Sequence, residues 1–114
     1  MNRITRIVLV CLALLPPLAH SGDICTTWGC ISHISELVTN HAGKIRIATP
    51  LDETLANCDA VSGVYFSLDP NAQNFKEMYA AVLAAYMSGK KIQLRVQEGS
   101  SECTLSYVRF SSGF

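Results

Sequence analysis

The sequence predicts a mainly β domain carrying a single amphipathic helix, and three observations predict it. Short runs such as 44–49 (KIRIAT) and 91–97 (KIQLRVQ) alternate polar and apolar residues, the period that puts one face of a strand in a core. One run alone, 69–89 (DPNAQNFKEMYAAVLAAYMSG), has the 3.6-residue period of a helix. Four cysteines follow an N-terminal segment built like a signal peptide, which predicts a small, exported, disulfide-stapled domain.

At the N-terminus, Arg3 and Arg6 precede the apolar run 7–15 and the small-x-small triplet Ala19-His20-Ser21. This predicts a signal peptide over 1–21 and a mature chain over 22–114, periplasmic or secreted. The apolar run is shorter than the roughly 20 residues of a bilayer span, and Pro16-Pro17 would break a continuation, so no membrane-spanning segment is expected. Neither Cys11 nor Cys25 has the small-residue context of a lipoprotein site.

Residues 22–114 hold seven Lys and Arg against nine Asp and Glu, a net charge of −2. That balance advertises no polyanionic partner. A chain of this length makes one domain with a marginal core, and Cys25, Cys30, Cys58 and Cys103 read as two bridges with three connectivities open.

The run 29–38 (GCISHISELV) is rich in Ile, Val and Ser without a helical stripe, and 40–43 (NHAG) follows it as a turn. A second strand is expected over 44–49, closed by Pro50. A polar connection over 49–60 holds Cys58, and a third strand is expected over 61–68 (VSGVYFSL). The helix is expected over about 70–88, with Asp69 as N-cap, Pro70 in the first turn and Gly89 as C-cap ahead of Lys90 and Lys91. Phe75, Met78, Tyr79, Val82, Leu83, Tyr86 and Met87 form its expected core stripe, and Glu77, Ala80, Ala81, Ala84 and Ser88 its back. A fourth strand over 91–97, a loop over 98–102 and a fifth strand over 105–110 complete the chain.

The resulting order, β-β-β-α-β-β, is that of the OB-fold, a partly open five-stranded barrel. In that topology the third and fifth strands are parallel neighbours. Cys58 and Cys103 each precede one of them and would meet, leaving Cys25 for Cys30. By loop entropy the long bridge is worth about 4 kcal/mol and the short one about 2 kcal/mol.

The stretch Val64 to Gln97, a strand followed by LDPNAQNFKEMYAAVLAAYMSGK and IQLRVQ, resembles small exported bacterial OB-fold proteins. It is similar to the B subunits of subtilase-cytotoxin-like AB toxins. The resemblance implies a pentameric ring and glycan binding; small residues at Ala80, Ala81 and Ala84 would then let a neighbouring helix approach, making them the expected contact in a homo-oligomer. No sugar-contacting position of that family is carried over to this chain.

Motifs of catalysis and cofactor binding are absent from the sequence. His33 and His41 lack the spacing of a metal pair, Cys25 and Cys30 have four residues between them rather than two, and no G-x-S-x-G elbow or phosphate-binding glycine loop occurs. Asp52-Glu53 reads as a solvated pair, and Trp28 as packing over a disulfide. No metal, cofactor or catalytic residue is expected. Nucleic acid, the common ligand of OB-folds, is disfavoured by Glu98 and Glu102 in the loop that would hold it. The same rim suits a neutral sugar: Asn40, His41, Tyr65, Ser100 and Ser101 are the candidate ligand-binding residues. The function expected is a non-catalytic exported module binding a glycan or a protein, the alternative being a small secreted or periplasmic enzyme without a recognisable motif.

Overall fold

The computed structural model describes residues 22–114; the predicted signal peptide, 1–21, lies outside the described residues. Seven strands form two antiparallel sheets, and one α-helix packs against both. The strands are β1 (Ile24–Thr26), β2 (Gly29–Ser32), β3 (Glu36–Thr39), β4 (Ile45–Ala48), β5 (Phe66–Leu68), β6 (Ile92–Val96) and β7 (Leu105–Arg109). The helix α1 (Phe75–Ser88) lies between β5 and β6. One sheet has the order β1-β2-β6-β7 and the other β3-β4-β5.

The mostly β expectation holds, and the order of neighbours follows the OB pattern. The run expected as one strand over 29–38 breaks at His33-Ile34-Ser35. Its first half pairs with β6 and its second with β4. Ile34, 7% exposed, pins the bend in the core. On the far side a single parallel bridge, Ser67 to Thr104, joins β5 to the chain entering β7. The two sheets therefore do not close into a continuous barrel, and α1 fills part of the opening by contacting β3, β5 and β7.

Two other strand expectations are corrected. Only Phe66–Leu68 of the run 61–68 is strand. Ser62 and Gly63 have φ of 55° and 72°, a two-residue turn with both φ positive, so Val61 folds back to pair with Tyr65 and Val64 is left exposed. β1 was not expected at all: its three residues are too few to show a period. It forms a hairpin with β2 in which Cys25 sits opposite Cys30.

The helix starts later and is rotated from its expected setting. Asp69 accepts from the Asn71 N–H at 2.8 Å through its side chain and from the Ala72 N–H at 3.0 Å through its carbonyl, so Asp69-Pro70 builds a turn rather than a cap. Asn74 is the N-cap and makes no side-chain capping bond, while Gly89 ends the helix at φ 68° as expected. Met78, Val82 and Ala85 are buried, whereas Leu83, Tyr86 and Met87 are 38%, 44% and 75% exposed. Ala81 packs against the core, so of the three alanines expected on the outer face only Ala80 and Ala84 are exposed.

The core is one cluster that includes Cys30, Ile47, Phe66, Leu68, Val82, Ile92, Leu94, Cys103 and Leu105, each under 2% exposed. Both disulfides, Cys25–Cys30 and Cys58–Cys103, have the connectivity that the strand order predicts. Such bridges fit an oxidising compartment outside the cytoplasm.

Candidate functional site: a groove beside the helix

The late start of α1 leaves a groove between its first turns and β7, with a volume of 430 Å³. The order β1-β2-β6-β7 makes β7 an edge strand, so beyond Thr104 no further strand of the described residues covers this side. Met78, Ala81, Leu105 and Val108 give the groove an apolar floor. Gln73, Asn74, Glu77, Gln97 and Tyr107 stand around it.

Those five side chains make no hydrogen bond with any described residue, so their donors and acceptors are available to a ligand. Asn74 is free because it stands at the N-cap without capping. Tyr107 is 42% exposed and its ring lies 5.9 Å from the Arg95 guanidinium carbon. Amides, a phenol, a carboxylate and an aromatic face over an apolar floor can hold a polyhydroxylated ring by its polar edge and its apolar face. The groove is not legible in the sequence, because the expected helix over 70–88 covers Gln73 and Asn74 and the expected strand over 91–97 ends on Gln97.

The rim residues expected from sequence are not gathered at one point. Asn40 shapes its own turn, its Oδ1 accepting from the N–H groups of Ala42 at 3.0 Å and Lys44 at 3.1 Å. Ser100 accepts from the Thr104 N–H at 3.0 Å. Tyr65 donates to Glu36 Oε1 at 2.9 Å, and Glu36 pairs with Ala48 at the end of the hairpin remote from Asn40. Four residues of strand separate Asn40 from Glu36, about 13 Å. His41 and Ser101 are exposed on the turn and on the β6–β7 loop. These two segments do approach one another, through the Lys44 to Glu102 ion pair at 3.8 Å.

Two charged clusters hold the fold together. Glu102 receives Arg46 at 3.4 Å, and Arg46 also donates to Ser67, whose hydroxyl donates to the Glu102 carbonyl at 2.7 Å. The hydrogen bond and charge of Arg46 hold the Glu102 carboxyl below its ordinary value. Lys44, Arg46, Ser67, Asp69 and Glu102 surround a hollow of 160 Å³, but Lys44, Arg46, Ser67 and Glu102 pair with one another. In the second cluster, Lys91 lies 2.8 Å from Asp23 and lowers its pKa by hydrogen bonding and charge. The Tyr65 hydroxyl is raised, because its hydrogen bond to Glu36 favours the protonated form.

Glu53 departs from the solvated pair expected. It is 3% exposed in a short 3-10 turn, Glu53–Leu55, and its Oε1 accepts from Thr49 N–H at 2.6 Å and Thr49 Oγ1 at 2.9 Å. It ties the connection after β4 to the end of that strand, a role that adjacent charges in a polar segment do not reveal. Trp28 is half-buried at the turn between β1 and β2, its carbonyl accepting from Val96 N–H at 2.9 Å.

Among the described residues no group of three or more His, Cys, Asp or Glu is placed to hold a metal ion, and no helix is long and apolar enough to cross a membrane. No protein family, curated protein or solved structure matches the chain.

Proposed function

We propose that this protein is an exported, non-catalytic binding module whose ligand is a neutral glycan seated in the groove between α1 and β7. The observation that carries the reading is the set of unengaged polar side chains, Gln73, Asn74, Glu77 and Gln97, placed beside Tyr107 over an apolar floor. The likeness of Val64 to Gln97 to toxin B subunits is the second reason for taking a sugar as the ligand. The alternative, a small exported enzyme, needs titratable groups converging on one point. The displaced groups Asp23, Tyr65 and Glu102 instead sit in three separate places, each explained by an ion pair or hydrogen bond. A glycan array probed with the oxidised protein tests the reading: neutral glycans are the expected hits, and a blank array removes it.

A ring-forming version of the module is favoured by the outer face of α1. Ala80, Leu83, Ala84, Tyr86 and Met87 are exposed there, and the helix carries charge only in its first turn, at Lys76 and Glu77, where a helix on a monomer ordinarily carries it along its length. Size-exclusion chromatography with light scattering decides it: an oligomer that Ala84→Lys dissociates supports the ring, and a monomeric mass rules it out.

A further inference from the structure

The outward face of the β1-β2-β6-β7 sheet is unlike an ordinary solvated one. The register puts Ile24, Ile31, Gln93 and Arg109 in one row across it, and Thr26, Gly29, Arg95 and Tyr107 in the next. Neither row contains a carboxylate. Lys44, Arg46 and Lys91 each reach an acidic partner elsewhere, but Arg95 and Arg109 reach none among the described residues. Aromatic rings hold both instead: the Arg95 guanidinium carbon is 5.9 Å from the centre of Tyr107 and that of Arg109 is 5.5 Å from Phe114. Arg109 Nε also donates to Gln93 Oε1 at 2.7 Å. Both guanidinium groups lie within cation–π range of a ring, and with no carboxylate beside them they keep N–H groups for a two-point contact with a carboxylate.

The spacing of the two arginines selects the shape of the ligand. Arg95 pairs with Tyr107, so Arg109 is its diagonal neighbour on the same face, their positions on the sheet about 7 to 8 Å apart. An extended polypeptide repeats its side chains on one side every second residue, about 6.6 to 6.8 Å. We propose that this face binds an extended acidic polypeptide segment with carboxylates at alternate positions, one on Arg95 and the next on Arg109. Ile24, 46% exposed, and the half-buried Ile31 extend the face with apolar surface of the kind protein interfaces bury, beside the tyrosine and arginines that dominate their energetics. A nucleic acid is the poorer match, because its affinity accumulates over roughly six to ten phosphate contacts and this face offers two unpaired cations.

The test uses the oxidised protein and a fluorescent peptide of Glu-Thr repeats, its Gln-Thr counterpart and an oligo-dT strand, read by anisotropy at low and at physiological salt. Binding is expected for Glu-Thr alone, weakening with salt. Arg95→Gln and Arg109→Gln are each expected to weaken it about tenfold, and Arg95→Lys, which keeps the charge and loses the fork, to fall between. The far-ultraviolet spectra of all three variants should match the parent. Equal binding of Gln-Thr, unchanged binding by both Gln variants, tighter binding of oligo-dT, or no binding of Glu-Thr overturns the proposal. Tyr107 borders both sites, but peptide binding by the Arg95 and Arg109 variants does not read glycan binding in the groove beside α1, so the two readings fail separately.

Discussion

Among the described residues, Ser67 and Thr104 form the one parallel bridge between the two sheets, with the Ser67 N–H donating to the Cys103 carbonyl at 3.0 Å. A single bridge is a weak seam. Two further ties cross the same place: the Cys58–Cys103 disulfide, and the network of Arg46, Ser67 and Glu102.

The two disulfides are predicted to contribute unequally. Cys58–Cys103 spans 45 residues and Cys25–Cys30 spans 5, so loop entropy assigns them about 4 and about 2 kcal/mol. Paired Cys→Ala variants compared by denaturant unfolding should show the larger loss for the long bridge. Equal losses would mean that the seam is held by other contacts.

Acid should weaken the same seam. The Glu102 carboxyl is held below its ordinary value of 4.5, so its contribution is present above that value and fades as pH falls through the lowered one. Glu102→Gln is therefore expected to be less stable than the parent near neutral pH, with the difference closing as pH falls from 4.5 through the lowered value. Unfolding midpoints across that range check it; a constant difference would contradict it.

At the first hairpin, a methyl group added to Gly29 would lie 1.9 Å from the Leu94 carbonyl oxygen, at a φ of 135°. Gly29→Ala is expected to cost about 3 kcal/mol or more, through separation of β2 from β6. Gly99, also at positive φ but with nothing within 4 Å, is the control: Gly99→Ala should cost about 1 kcal/mol. Thermal unfolding distinguishes the two.

The rotation of α1 predicts which of its apolar residues matter to stability. Val82, fully buried, should cost about 2 kcal/mol on replacement by Ala. Met87→Lys, at a position 75% exposed, should stay within about 0.5 kcal/mol. A large loss for Met87→Lys would return it to the core stripe expected from its spacing.

Legibility in the sequence followed the length of each signal. The alternation of 44–49 and 91–97 located β4 and β6 to within a residue or so, and the strand order was enough to pair Cys58 with Cys103. The helix stripe was too wide to orient: Leu83, Tyr86 and Met87 continue the apolar spacing, yet the sheets contact only the side carrying Met78, Val82 and Ala85, and small Ala85 was invisible as a core residue. Asp69-Pro70 serves equally as a helix start or a turn, and the Asx bond to Asn71 decides for the turn. For the candidate site, the sequence showed which side chains are polar but not which are already engaged. Asn40 and Ser100 bond to backbone and Tyr65 to Glu36, while Asn74 and Gln97 stand unengaged beside a groove that exists only because the helix begins late.

The central claim is most directly tested by titrating the glycan found on the array into the parent protein, Asn74→Ala, Gln97→Ala, Tyr107→Ala and, as the reference from the turn between β3 and β4, His41→Ala. The groove predicts about tenfold or greater loss of affinity for Tyr107→Ala, smaller losses for the two amide variants and parent-like binding for His41→Ala. Undiminished binding by all three groove variants, or loss confined to His41→Ala, would contradict it.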